Sequence, residues 1–190
     1  GVCVPINQDR LAPQAIVSLL AERLTDAHFR ELEDSRELNI GLPVQGIGSF
    51  RLSAFLQRGS ISAVIRFIPH DVPKLDALHL PEVLKDLIME RRGMILVVGS
   101  AGSGKSTTIA SMLDHRNELS TGHVLTFEDP IEYLFRNKKS IINQREIGSD
   151  ARTLQAALRS AIRQAPDVIF IGEIRDRETA EIAIQASLTG

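Results

Sequence analysis

Four apolar residues, Ile95–Val98, run without a break into Gly99-Ser100-Ala101-Gly102-Ser103-Gly104-Lys105-Ser106-Thr107. A short apolar run, a glycine-rich turn and a helix-forming stretch in succession read as buried strand, tight loop and helix. That is the repeating unit of a parallel sheet, and few folds accommodate it. The loop fits G-x-x-x-x-G-K-[ST] at every fixed position. Its glycines let successive backbone N–H groups and the helix N-terminus point at phosphate oxygens. Lys105 is placed to reach the β/γ-phosphates and Ser106 to hold Mg²⁺ through its hydroxyl. A plain glycine-rich turn between strand and helix leaves the Lys-Ser pair at the helix start unexplained. Residues 99–107 are therefore the nucleotide-binding candidates.

The rest of the second half continues the alternation. Pro81 opens a helix to Arg92, with Val83, Leu84, Leu87 and Ile88 as its apolar stripe. Thr107–His115 is the helix after the loop, and His123–Glu128 a second strand. An irregular stretch covers 129–149. Asp150 caps a helix whose apolar positions 154, 157, 158, 161 and 162 follow helical spacing. Pro166 stops it, Asp167–Gly172 is a third apolar strand, and Arg177–Leu188 a last helix. The expected architecture is α/β, a mainly parallel sheet with helices on both faces.

The first half is different in kind. Residues 13–34 read as helix with a break or restart at Thr25-Asp26, followed by apolar runs Leu38–Val44, Phe50–Gln57 and Ser60–Ile68. Arg58-Gly59 suits an antiparallel hairpin. The two prolines at Pro69 and Pro73 mark a linker. The expected domains are a small α+β unit over 1–69, a linker over 70–80 and a P-loop α/β core over 81–190.

Two acidic motifs accompany the loop. DVIFIGE (167–173) ends an apolar strand in Glu173, a carboxylate delivered to the C-terminal sheet edge where α/β ligands bind. With the loop upstream, Glu173 takes a Walker-B-type role, either as a ligand of Mg²⁺ through water or in orienting the attacking water. FEDPIEY (127–133) places Glu128, Asp129 and Glu132 at the end of the second strand. Alone it is either an acidic solvent-facing turn or the source of a general base opposite the γ-phosphate.

Composition excludes several classes. The net charge of −2 gives no reason to expect nucleic-acid binding, and no apolar run is long enough to span a membrane. Cys3, the one cysteine, cannot form an internal disulfide and points to a reducing compartment. The five histidines lack metal-ligand spacing. Arg136-Asn137-Lys138-Lys139 is a solvated loop or a partner contact.

GSAGSGKST, LTFEDPIEY, INQREIG and VIFIGEIRDRETAEIAI together, in this order, resemble the secretion ATPases of type II and type IV pilus systems. The resemblance covers Pro43 to Gly190 and is nearest the PilT/PilU group of pilus retraction ATPases, on its PilU-like side. It implies a PAS-like N-terminal domain and a RecA-like P-loop core, assembled as a hexameric ring that binds ATP/ADP and Mg²⁺. FEDPIE resembles the family's Asp box, which makes Glu132 the glutamate that activates water and Asp129 a supporting acid. Arg51 and Arg66 match arginines that reach the γ-phosphate; without the resemblance they are ordinary strand arginines in solvent. The implied role is a cytoplasmic motor subunit, peripheral at the inner membrane, that drives pilus retraction and twitching motility. Its implied partners are a platform protein and a related motor ATPase. An accessory subunit of low turnover and a secretion or pilus-assembly ATPase are the alternatives; a metabolic kinase has no use for GEIRD. The chain is expected to be a fragment, short at its start and ending before the family's His box, so that independent turnover is in doubt. The zinc-binding cysteines of type II relatives lie beyond its end.

Overall fold

The computed structural model describes residues 4–5, 11–69 and 71–189. Cys3 and His70, and with His70 the start of the expected linker, lie outside them. The chain divides into two compact units at Ile68/Pro69.

In the first unit, helices α1 (Pro13–Ala21) and α2 (Asp26–Ser35) precede an antiparallel sheet of β1 (Glu37–Val44), β2 (Gly48–Gln57) and β3 (Ser60–Ile68), in that order. The break between the helices is set by Thr25. Its hydroxyl accepts from the His28 N–H, and His28 Nδ1 accepts from the Thr25 N–H, a reciprocal cap. Arg58 and Gly59 carry φ of 50° and 77°, the two positive angles that a two-residue hairpin turn matching strand twist requires. Leu20, Leu24, Leu32, Leu38, Leu52 and Ala54 form the core between the helices and one face of the sheet. Because side chains alternate along a strand, Arg51 falls on the opposite face from Leu52. Its register partner on β3 is Arg66.

The second unit carries α3 (Val83–Met89), α4 (Lys105–Leu119), β4 (Gly122–Glu128), β5 (Ser140–Glu146), α5 (Leu154–Ala161), β6 (Val168–Ile171) and α6 (Arg177–Thr189). Its sheet is wholly parallel with β4 central, in the order β5-β4-β6. One face packs Leu125 and Phe127 against Ala157, Leu158 and Ala161 of α5 and Ile182 of α6. The other packs Val124 and Ile142 against Ile88, Met112 and Leu113 of α3 and α4. Helices therefore cover both faces, as α/β alternation requires.

Four local expectations are corrected. Ile95–Val98 is not a strand: among the described residues it pairs with neither outer edge of the β5-β4-β6 sheet, and Leu96 and Val98 are 66% and 90% exposed. Within the stretch read as irregular lies β5, whose polar second half, Asn143-Gln144-Arg145-Glu146, hides the strand pattern. The cap of α5 is Thr153, whose hydroxyl accepts from the Ala156 N–H at 3.3 Å; Asp150 instead accepts from the Glu146 N–H at 2.8 Å. Finally, α3 is only seven residues long. It buries Ile88 and partly Leu84, an i, i+4 pair, and leaves Val83 and Leu87 exposed.

The segment before α3 packs on the second unit. Leu75 is buried against α3 and α4, Leu80 joins the same cluster, and Lys74 pairs with Glu118 of α4. Lys138, read as part of a solvated loop, donates to both oxygens of the buried Asp114 at 2.6 and 2.8 Å. Asn117 pins the same loop through the Arg136 carbonyl and the Lys138 N–H.

Candidate functional site

The glycine-rich loop leads directly into α4. Gly102 and Gly104 have φ of 76° and 91°, angles a side chain would strain, and nothing stands within 4 Å of where a Cβ would lie. Gly104 is the N-cap of α4 and supplies no side-chain acceptor, so the first-turn N–H groups are left for an anion. Lys105 Nζ donates to the carbonyls of Gly99 and Ser100 at 3.0 and 2.8 Å, which holds the ammonium over the loop. Ser106 and Thr107 follow in the first turn.

The acidic motifs arrive at one edge because β4 and β6 are parallel and adjacent. Phe127 and Ile171 are register partners, so Glu128-Asp129 and Gly172-Glu173 leave the sheet side by side. Arg175 closes the arrangement: its guanidinium pairs with Glu173 and lies 3.7 Å from Asp129. Asp129 and Glu173 are thus held around one cation, consistent with a place where negative charge is gathered.

Glu128 behaves differently from its neighbours. It is 6% exposed at the end of β4 and accepts from the Thr126 hydroxyl at 2.7 Å, from Gln144 Nε2 at 3.2 Å and from the Glu132 N–H at 3.4 Å. Burial pushes its carboxyl up, and the charge of Glu132 adds to this; the three donors act in the opposite sense. Glu132 itself is exposed. Tyr133, one residue on, brings its hydroxyl within 3.0 Å of Thr107 Oγ1, so the acidic segment touches the first turn of the P-loop helix.

Asp129, Glu132, Glu173 and the loop are therefore all carried by the second unit, whereas Arg51 and Arg66 belong to the first. The linkages through Arg175, Tyr133 and Gln144 are visible only in three dimensions. The signal that could have raised Arg175 was its place two residues after Glu173 in GEIRD.

Among the described residues no three His, Cys, Asp or Glu side chains converge as a metal cage. A hydroxyl beside the loop and one or two nearby carboxylates are the donor set of Mg²⁺ completed by phosphate oxygens, rather than of an all-protein site.

The family profile of the type II/IV secretion system protein matches residues 14–190. The chain belongs to that family. It is 40% identical over 190 residues to the type IV pilus ATPase PilU of Pseudomonas aeruginosa, covering all of this chain and 50% of the relative. It is 40% identical over 185 residues to the retraction ATPase PilT of the same organism, covering 97% of this chain and 54% of the relative. A type II secretion system protein E from P. aeruginosa is 38% identical over 176 residues, covering 88% and 34%. Among solved structures, the pilus retraction motor PilT with bound ADP superposes with a TM-score of 0.91 at 46% identity, covering 95% of this chain and 53% of that one. The chain spans about half the length of the PilU and PilT relatives it matches. Resemblance to this group, read from the motifs, and the α/β P-loop fold both hold.

Proposed function

We propose that this chain is the nucleotide-binding portion of a hexameric motor ATPase that powers type IV pilus retraction. The observation that carries the reading is the contact between Thr107 and Tyr133. It joins the P-loop helix to the acidic segment in a chain 40% identical to PilU and PilT.

ATP is bound with its β- and γ-phosphates on the N–H groups of the 99–107 loop, Lys105 exchanging two loop carbonyls for phosphate oxygens. Mg²⁺, held by Ser106 and through water by Glu173, neutralises phosphate charge when bound. Glu132 accepts the proton of the attacking water, with Asp129 in support. Arg51 and Arg66, register partners on β2 and β3, supply positive charge to the γ-phosphate.

Leu134 N–H donates to the carbonyl of Pro69 at 3.3 Å, so the acidic segment is bonded to the start of the linker. With Pro69, Lys74, Leu75 and Leu80 all held by the second unit, the backbone change that accompanies hydrolysis is assigned to the point where the two units divide, Ile68/Pro69. The output is work on an inner-membrane platform protein from the cytoplasmic side. No helix among the described residues is long and apolar enough to cross a membrane.

Phosphate release by the protein that carries these residues tests this. Lys105→Ala and Glu132→Gln should each lower turnover about 10²-fold or more. An unchanged rate in either variant refutes the site. The second reading is an accessory subunit of low turnover beside a main motor, for which the same loop and acidic residues serve and which the equal 40% identity to PilU and PilT leaves open to experiment. Phosphate release measured alone and then mixed with a PilT-type motor separates the two.

A further inference from the structure

INQREIG (142–148) has no part in the function proposed above, yet its side chains run through the site. Residues 129–139 form neither helix nor strand, so their backbone N–H and C=O groups must find partners outside a ladder. For Arg136, Lys138 and Lys139 they lie on Asn117 of α4 and for Leu134 on the Pro69 carbonyl; for Ile131, Glu132, Tyr133 and Phe135 they are side chains at the ends of β4 and β5. The Ile131 N–H donates to Glu146 Oε2 at 3.1 Å, and the Glu132 N–H to Glu128 Oε2 at 3.4 Å. Gln144 does most: its Oε1 accepts from the Phe135 N–H at 2.9 Å, and its Nε2 donates to the Tyr133 carbonyl at 2.8 Å and to Glu128 Oε1 at 3.2 Å.

The register explains how this is possible. Thr126 pairs with Gln144 and Glu128 with Glu146, so all four side chains stand on one face of the sheet. Nearer the start of the strands the same face is apolar, Val124 and Ile142 packing on α4. It turns polar only under the segment that carries Glu132.

We propose that Gln144 is a positioning residue for ATP hydrolysis, holding residues 131–135 so that Glu132 and Tyr133 are presented to the start of α4. This rests on the ATPase reading. The chemistry selects the residue. Tying down one backbone donor and one backbone acceptor two residues apart takes a side chain with both functions at its tip. A carboxylate lacks the donors, and asparagine is one methylene short. A flipped amide would turn all three contacts repulsive, so the orientation is fixed by the network. From Gln144 the path continues through the Tyr133 hydroxyl to Thr107, two residues after Lys105. Glu132 itself adds one longer bond to the sheet, its N–H to Glu128 Oε2 at 3.4 Å, which leaves its neighbours Tyr133 and Phe135 to be fixed through Gln144.

The test uses the protein that carries these residues, with Gln144→Met, of similar length and unable to bond, and Gln144→Glu. Thermal melts, binding of a fluorescent ADP analogue and steady-state phosphate release are measured for each, with Lys105→Ala alongside. For Gln144→Met we expect kcat to fall about 10²-fold, the cost of displacing a reacting group by about 1 Å. Analogue affinity should stay within about threefold, under 1 kcal/mol. For Gln144→Glu, the introduced carboxylate faces buried Glu128 and lacks donors. Its kcat relative to the parent should rise as pH is lowered from about 8 to about 6, as protonation restores one donor. A kcat within about twofold of the parent in Gln144→Met overturns the inference. So does a loss of analogue affinity that matches the loss of kcat. Should Gln144→Met fail to fold, a flat relative pH profile in Gln144→Glu overturns it equally. If Lys105→Ala binds the analogue as the parent does, the nucleotide-site reading itself has failed; if it does not bind, only the role of Gln144 is in question.

Discussion

Tyr133 is the only tyrosine of a chain without tryptophan, which makes its hydroxyl contact with Thr107 unusually open to measurement. Tyr133→Phe removes one neutral, partly buried hydrogen bond of 3.0 Å and nothing else of comparable size. Such bonds contribute about 0.5–1.5 kcal/mol net. The lower half of that range applies here, because a threonine inside a helix can turn its hydroxyl to a carbonyl one turn back once its partner is gone. Thr107→Val removes the bond from the other side with little change of shape. We expect each single variant to lose about 0.5–1 kcal/mol, and the double variant to lose no more than about 0.3 kcal/mol beyond the larger single effect. The coupling is then about 0.2–1 kcal/mol. Urea unfolding followed by far-UV circular dichroism measures all four proteins. In the parent, tyrosine emission reports the site directly and should change when nucleotide is added. A coupling below about 0.2 kcal/mol would refute the reasoning, since the two hydroxyls would then not be bonded in solution.

Two further outcomes are expected. Leu158, buried between α5 and the sheet, should cost about 2–5 kcal/mol when changed to Ala, read as a lowered urea midpoint at constant slope. Hydrogen bonds from Lys74 and then Lys138 lower the Glu118 carboxyl from 4.5 to about 2, so its contribution is present above pH 4.5 and lost as pH falls toward 2. Stability measured across that window should fall less steeply in Glu118→Gln than in the parent; equal slopes would mean that the lysines do not hold Glu118 in solution.

What could be read in the chain was what is local. The glycine loop, the Thr25 break, the Arg58-Gly59 hairpin and the spacing of α5 each depend on residues a few positions apart, and each is found. Glu173 and Asp129 were legible for a related reason: an acidic residue just past a buried apolar strand has only the sheet edge to occupy. The failures share the opposite property. Ile95–Val98 has the composition of a buried strand, yet a strand is defined by a partner, and among the described residues none pairs with it. Asp150 has the chemistry of a cap but is drawn off by the Glu146 N–H, leaving Thr153 to start the helix. Lys138 is a loop cation whose buried partner, Asp114, lies 24 residues earlier.

The case of β5 joins both lessons. Asn143, Gln144, Arg145 and Glu146 are poor strand residues, and by propensity alone this stretch reads as loop. It is a strand because β4 offers an edge in parallel register, and it is polar because of what its side chains must do. Gln144 and Glu146 face the 131–135 segment, while Arg145, on the other face, stands 5.8 Å from the centre of the Phe127 ring and donates to the Asp150 carbonyl at 2.8 Å. A more apolar β5 would be easier to recognise and would leave the N–H groups of Ile131 and Phe135 without acceptors. The departure from strand composition is therefore where the requirements of the site override those of the sheet, which is why the residues least predictive of the fold here are those most informative about the site.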